Sequence, residues 1–292
     1  MLKRTPEWFE AQYDNLARVS NSAHLLGRWA EASALVRRSA PCILDIPYAG
    51  PGSDASECLD IFPSTASKAP VLVFIHGAYW RAFDKSDHSF VAAVYAQAGA
   101  MVVIPNYGHC PAVNVEQISM QMAQVLAWVW RNIADFGGDP NRIYVVGHSA
   151  GGTLAAMLSC CEWKSLGADL PRQLVKGALS ISGLHDLKPL LNVASVQADL
   201  QLTPAAAKRL SPIHYPAPAA PHYAVVGADE SDEFHRQTQV LRSQWGERAV
   251  PVCATLSGLN HFNILHDFVD PEGRLYQLTR QLLDLRWYSP LL

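Results

Sequence analysis

With 292 residues the chain is long enough for one large α/β domain with a substantial core, or two small domains at most. Its 49% apolar and 17% charged residues and its formal net charge of -3 are those of a soluble globular protein, and they give no electrostatic reason to expect nucleic acid or a membrane surface as partner. No apolar run approaches the ~18 residues of a membrane span, and the N-terminus lacks the apolar stretch of a secretion signal, so a cytoplasmic location is expected.

Residues 5–38 read as a helical arm, with Pro6 suited to a first turn and Phe9, Tyr13 and Leu16 recurring at helical spacing. Two short strands follow, Cys42–Ile46 and Glu57–Phe62, separated by a turn rich in Gly, Pro, Ser and Asp; they predict an antiparallel hairpin at a sheet edge. From Val71 the pattern becomes one of continuous apolar runs, as in strands covered on both faces: Val71–Ile75, Met101–Ile104, Ile143–Val146, Ala178–Ile181, Tyr223–Val226 and Val252–Thr255. Helical stretches separate most of them. The clearest covers Val115–Ala134, with Asn114 as its N-cap, Gln117 three residues on, and Gly137-Gly138 as its stop. Strands alternating with helices predict a mainly parallel, doubly wound sheet. Residues 184–221, with helix-like pieces around Leu187–Leu191 and Pro204–Leu210, are too long for a plain connection and read as a small helical lid within one domain spanning 1–292.

The chemistry is concentrated at Gly147-His148-Ser149-Ala150-Gly151, a G-x-S-x-G preceded by the Ile143–Val146 strand and followed by an apolar helix from Thr153. Strand, sharp turn and helix in this order make a nucleophile elbow, with Ser149 exposed at the strand end. A base and an acid should follow in the order acid, then histidine. His261 lies after the last strand and is the expected base, while Asp186, Asp229, Glu230 and Asp232 compete as the acid. Asp186 is expected to cap the next helix and Asp232 to cap a later one. Of the other histidines, His148 is expected to point away from the site, and His185 to touch substrate. His24, His88, His109, His214, His222, His235 and His266 are expected at the surface or at caps. His76-Gly-Ala-Tyr-Trp80 follows the Val71–Ile75 strand, where an oxyanion loop belongs. By analogy its donors are the N–H groups of Ala78 and Tyr79, joined by that of Ala150. Six cysteines scatter without C-x-x-C spacing and read as free thiols; no metal or cofactor is expected.

His76-Gly-Ala-Tyr-Trp80 resembles the HGGYW motif of arylformamidases (kynurenine formamidases), a branch of the α/β-hydrolase superfamily near the hormone-sensitive-lipase group. The resemblance continues through Tyr13–Arg18, Phe136–Pro140, Gly147–Gly152, Ser182-Gly183 with Asp186-Leu187, Ser211-Pro212, Ser231 with Glu233–Gln237, and His261-Phe262, and so covers nearly the whole chain. It implies the α/β-hydrolase fold and a cofactor-independent serine hydrolase acting on a small aryl amide or ester. Tyr79 and Trp80 would form an apolar wall, and His185 and Phe262 further substrate contacts. It also aligns Glu230, fourth in Gly227-Ala-Asp-Glu230, with the family's catalytic aspartate, leaving Asp229 as runner-up. Ala78 stands where the family has its second glycine, and His185 where it often has an aromatic residue. A carboxylesterase for small aryl or short-acyl esters is the nearest alternative, and a non-catalytic ligand-binding protein a remote one. A homodimer is left open.

Overall fold

The computed structural model describes residues 4–50 and 54–285. Part of the expected hairpin turn, Pro51-Gly52-Ser53, and the first three residues of the chain lie outside the described residues. Eight strands form one sheet in the order β1-β2-β4-β3-β5-β6-β7-β8. They are β1 (Ile43–Pro47), β2 (Cys58–Phe62), β3 (Ala69–Ile75), β4 (Met101–Pro105), β5 (Gly138–His148), β6 (Val175–Ile181), β7 (His222–Gly227) and β8 (Cys253–Leu256). β2 runs antiparallel to both β1 and β4, and all remaining pairs are parallel.

The apolar runs become central strands because both sheet faces are covered. Along β3, Val71, Val73 and Ile75 enter one hydrophobic cluster while Leu72 and Phe74 enter another. Each such side chain contributes about 1.5–3 kcal/mol when fully buried, so the alternation pins the register. An N-terminal arm comprises α1 (Pro6–Tyr13), α2 (Asn15–Arg18) and α3 (Ser22–Ser39). The face of α3, together with α4 (Ala92–Gln97), packs with the C-terminal helices under one side of the sheet. The opposite side carries α5 (Val115–Asn132), α6 (Ala150–Ser159) and α7 (Trp163–Leu166). Between β6 and β7 the chain forms α8 (Ala194–Leu200) and α9 (Pro204–Arg209), flanked by 3₁₀ turns at Lys188–Asn192 and Pro212–His214. The remaining helices are α10 (Asp232–Ala249), α11 (Ile264–Val269) and α12 (Arg274–Leu282), the last two completing the α3 side.

α5 starts and stops as its sequence predicts. Asn114 and Gln117 form a reciprocal capping box, and after one 3₁₀ turn the chain leaves through Gly137 at φ 92°. The arm departs from a single helical phase. Asp14 interrupts it at ψ 81° and caps α2 by accepting from Ala17 N–H. This break shifts the helical face, so Tyr13 is 1% exposed while Leu16 is 58% exposed. Two histidines expected near the surface are fully buried instead. His88 stacks over His76 at 5.3 Å between ring centroids and against Trp29 at 5.6 Å, and His222 begins β7 with Trp245 edge-on at 5.3 Å. All six cysteines are free thiols. No helix among the described residues is long and apolar enough to cross a membrane.

Candidate active site

The C-terminal ends of β5, β7 and β8 converge. Ser149 sits between β5 and α6 at φ 56°, ψ -121°, a conformation that costs about 1–3 kcal/mol and persists only where its surroundings impose it. The surroundings are backbone. A Cβ on Gly147 would lie 2.0 Å from the Gly151 carbonyl oxygen, and one on Gly151 would lie 2.0 Å from that of Ile75. Ser149 N–H donates to the Ile181 carbonyl at 2.8 Å, continuing the β5–β6 ladder into the turn. Because α6 begins at Ala150, the Ala150 N–H has no intrahelical acceptor, and the positive end of the helix dipole lies beside the serine.

His261 follows β8, and its Nε2 is 3.0 Å from Ser149 Oγ. Its Nδ1 is 2.7 Å from Glu230 Oε2. A carboxylate only accepts, so Nδ1 carries the ring proton and Nε2 presents its lone pair to the serine hydroxyl. The other carboxylate oxygen, Glu230 Oε1, accepts from Ser182 Oγ at 2.6 Å and from Gly227 N–H at 2.8 Å. All three side chains are nearly buried, Ser149 at 3%, His261 at 5% and Glu230 at 6% exposure. In this setting an imidazole can take a proton from a serine while the carboxylate stabilises the resulting cation. Asp229 does not approach His261. Its side chain is exposed, and its N–H donates to the Leu259 carbonyl at 3.0 Å. Asp186 accepts from Lys188 N–H and pairs with Arg236 at 3.1 Å, but it is not the expected cap: the cap position of the Lys188–Asn192 turn is Leu187, with no side-chain cap. At α10 the cap is Ser231, accepting from Phe234 N–H, and Asp232 is the first helical residue.

His76-Gly-Ala-Tyr-Trp80 forms the loop after β3 and lies against the elbow: a Cβ on Gly77 would come 2.8 Å from Ser149 Cβ. Ala78, Tyr79 and Trp80 have φ values of 70°, 49° and 54°, three successive left-handed residues without a glycine among them. Ala78 and Tyr79 are partly exposed. Trp80 belongs to the hydrophobic core at 0% exposure, so the expected substrate wall loses this member: the left-handed turn sends the indole inward. His185 is also removed from the expected substrate contacts. It is fully buried, its Nδ1–H donates to the Gln237 carbonyl at 2.9 Å, its Nε2 is 2.9 Å from Ser180 Oγ, and burial pulls its pKa down to about 4. Phe262, 6% exposed, packs edge-on against His261 at 5.5 Å and against Trp29 at 6.0 Å, so it supports the base loop from the α3 side.

Some participants are absent from the motif-level reading. His148 Nε2–H donates to the His261 carbonyl at 2.8 Å, with the rings 4.8 Å apart, so His148 anchors the loop that carries His261. Burial holds His148 well below the usual imidazole pKa, and neighbouring His261 and His88 add to the effect. Gln12 and Tyr13 of α1 tie two loops together. Tyr79 Oη donates to the Tyr13 carbonyl at 2.7 Å, and Ser231 Oγ donates to the Gln12 carbonyl at 2.6 Å. Tyr13 Oη in turn donates to buried Glu233 at 2.8 Å. The Tyr13–Arg18 resemblance was the one signal pointing to this contact. Among the described residues no group of three or more His, Cys, Asp or Glu is arranged to hold a metal ion.

Comparison with known proteins extends this geometry. A family model described as the alpha/beta hydrolase fold matches residues 72–262. The kynurenine formamidase of Danio rerio is 29% identical over 252 residues, covering 83% of this chain and 81% of that protein. An esterase of Mycobacterium tuberculosis is 30% identical over 212 residues, 66% of this chain and 50% of that protein. Among solved structures, a proposed thioesterase from Silicibacter sp. superposes with a TM-score of 0.79 at 29% identity, covering 92% of this chain and 97% of that one. An esterase of Pyrobaculum calidifontis, at 20% identity and TM-score 0.67 over 92% of this chain and 96% of that one, shares the fold. Matched over more than half its length, the chain belongs to the α/β-hydrolase family, as a hydrolytic enzyme.

Proposed function

We propose that this hydrolase cleaves a small aryl amide or ester through an acyl-enzyme, with Ser149 as nucleophile, His261 as base and Glu230 as the acid that orients it, and that its activity is most like that of an arylformamidase. The contacts at 3.0 Å and 2.7 Å that join the three side chains carry this reading. The similarity to kynurenine formamidases over 83% of the chain supports the substrate class.

Ser149 Oγ attacks the carbonyl carbon and gives its proton to His261 Nε2 as the C–O bond forms. The carbonyl π electrons move onto oxygen, which faces the N–H groups of Ala78, Tyr79 and Ala150; one such donor is worth about 3–4 kcal/mol of barrier. Collapse breaks the C–N bond, the amine leaves with the proton from His261, and an acyl ester remains on Ser149. Water then attacks that ester as His261 accepts its proton, and the acid leaves as Ser149 is reprotonated. Glu230 holds the Nδ1–H throughout and stabilises the imidazolium without taking its proton. Every proton is carried by a side chain of this chain, so removing metal ions with a chelator leaves turnover unchanged.

We also propose a small acyl side and an aromatic leaving-group side, the latter supplied by partly exposed Tyr79. The arm of residues 5–38 and the insertion of residues 184–221 form the cover of a single domain: Arg81, next to the oxyanion loop, donates to the Ser195 carbonyl and pairs with Asp199, both at 2.7 Å, and Glu10 of the arm accepts from Ser195 N–H and Oγ. The second reading, a short-acyl carboxylesterase, is favoured by the 30% identity to the Mycobacterium tuberculosis esterase. A matched panel decides between them: aryl formamide, aryl acetamide and aryl esters of rising acyl length. Rates should fall steeply beyond formyl or acetyl, with Ser149→Ala lowering kcat by about 10⁵-fold or more. Full activity in Ser149→Ala, or a preference for long acyl chains, contradicts the assignment.

A further inference from the structure

We infer that Tyr107 is a positioning residue for the oxyanion loop, its phenol holding the Gly77 carbonyl away from Ser149 so that the Ala78 N–H faces the acyl oxygen. This rests on the proposed acyl transfer at Ser149. Tyr107 follows β4, is fully buried, and stacks on His76 with ring centroids 4.4 Å apart. Its hydroxyl is 3.0 Å from the carbonyl oxygens of both His76 and Gly77, and 3.1 Å from His76 Nδ1. The Asn106 side chain is oriented by donation to Asp84 at 2.6 Å, which leaves Asn106 Oδ1 facing His76 Nε2 at 3.4 Å. His76 Nδ1 is also 3.3 Å from the Gly77 carbonyl oxygen; whichever ring nitrogen carries the proton, a carbonyl only accepts, so the Tyr107 hydroxyl is the donor to the His76 and Gly77 oxygens. Burial pulls the His76 pKa down to about 4, so the ring stays neutral.

The loop needs such a donor because its strain works against the catalytic geometry. In a trans peptide the C=O and the following N–H point in opposite directions. With the Gly77 oxygen on Tyr107, the Ala78 N–H points away from Tyr107, and Gly77 itself rests against the elbow, where a Cβ on it would come 2.8 Å from Ser149 Cβ. A flip of this one peptide unit would turn the carbonyl oxygen toward Ser149 and oppose an oxyanion there. It would change only the ψ of Gly77, which a glycine tolerates, and the φ of Ala78. Ala78 would thereby leave its φ of 70°, a left-handed value unfavourable for alanine, for the ordinary negative range. Backbone preference at Ala78 thus favours the flipped, inactive loop. The Tyr107 hydroxyl opposes it, since the flip removes one of the two carbonyl acceptors its buried phenol shares and leaves only that of His76.

Tyr107→Phe keeps the stack on His76 and removes only the hydroxyl. Its kcat and KM for an aryl formamide, its inhibition by an aryl trifluoromethyl ketone and its inhibition by the arylamine product are compared with the native enzyme. The ketone forms a hemiketal oxyanion with Ser149, whereas the product makes no oxyanion. Fluorophosphonate titration of Ser149 normalises each rate to the folded, competent fraction, so partial unfolding does not mimic the effect. The expected result is a loss of about 10–30-fold in kcat and a matching loss of ketone affinity, with KM and product affinity changed less than about twofold. In the Ala78→Gly background, where nothing favours the flip, the same substitution should cost only about threefold. Unchanged kcat and ketone affinity overturn the inference, as does equal weakening of ketone and product. Failure of the native enzyme to bind the ketone or be labelled at Ser149 overturns the acyl-transfer reading itself, a different result from a native enzyme that binds the ketone and a Tyr107→Phe variant that binds it equally well.

Discussion

The elbow and the oxyanion loop lie against each other and are both strained, yet they are held by different means. Ser149 keeps φ 56° because glycine-lined backbone closes around it: neither Gly147 nor Gly151 has room for a Cβ. Ala78, Tyr79 and Trp80 keep their left-handed values through polar tethers from elsewhere in the chain, Tyr107 Oη to the Gly77 carbonyl, Cys110 N–H to the Trp80 carbonyl, and Tyr79 Oη to the Tyr13 carbonyl. Strain held by packed backbone has no adjustable part. Strain held by side-chain tethers can be tuned one hydrogen bond at a time. Ser149 therefore sits on the fixed half of the site, and Ala78 and Tyr79 on the adjustable half.

The largest effect should come from the packed half. Gly151→Ala places a methyl 2.0 Å from the Ile75 carbonyl oxygen and 2.5 Å from that of His76, both backbone atoms of β3 and its exit. Neither can yield without moving a central strand, so a loss above about 4 kcal/mol is expected, large enough to remove folded protein. Expression yield and a thermal melt measure it. A soluble variant with near-native Tm shows that the elbow is as adjustable as its neighbour, and the comparison fails.

The same distinction explains what the sequence revealed. The elbow, the strand runs and His261 were legible because each depends on local order: strand, Gly-x-Ser-x-Gly, helix, then a histidine after the last strand. The fold class followed from alternating apolar runs. The tethers were not legible, since Tyr13 and Tyr79 are 66 residues apart and Tyr107 and Gly77 are 30 apart. At Trp80 and His185 the sequence pattern alone points to substrate, because an aromatic or a histidine after a strand usually faces the pocket. Here a left-handed backbone sends one inward, and Gln237 and Ser180 occupy both ring nitrogens of the other. His88 and His222 show the general limit, because polarity alone does not reveal that a core will supply aromatic partners.

Glu230 is itself held by tethers, hydrogen bonds from Ser182 Oγ and the Gly227 N–H at the ends of β6 and β7. Glu230→Gln keeps the size but makes a donor of one terminal atom, favouring the wrong His261 tautomer, and should lower kcat by roughly 10²–10⁴-fold. Exposed Asp229→Asn should change kcat by less than about threefold. The reverse ranking in two folded variants shifts the acid to Asp229.

Acid should reach both halves together, since buried neutral histidines lie beside each. His76 and His88 sit beneath the oxyanion loop and His185 beyond β6, with pKa values lowered by burial from 6.5 to about 4, about 3 and about 4. The unfolded chain binds protons at these rings from about pH 6.5 downward, where the folded protein does not. Stability is thus fully present above about pH 6.5 and is lost as pH falls toward 4. Three such rings cost together about 4 kcal/mol per pH unit within that window, or roughly 10 °C in Tm. Melts from pH 7 to 4.5 test this, and a Tm independent of pH contradicts it. His88→Phe, which keeps an aromatic ring in the stack, should flatten the slope by about one proton.

The smallest effect should come from the adjustable half and carry the opposite sign. Ala78 holds φ 70° and is partly exposed, so its methyl fills little of the core while its backbone bears the left-handed penalty of about 1–2 kcal/mol. Glycine removes that penalty but adds freedom to the unfolded chain, which returns about 0.5–1 kcal/mol of it. Ala78→Gly should therefore be neutral to stabilising, by up to about 1 kcal/mol, a Tm rise of at most a few degrees. The contrast with Gly151→Ala is one of holding force: that substitution adds a methyl where backbone walls the position, whereas Ala78→Gly removes one from a partly exposed position. A drop in Tm for Ala78→Gly would mean that the alanine methyl makes a packing contact that outweighs its strain, and that the oxyanion loop is held by packing as the elbow is.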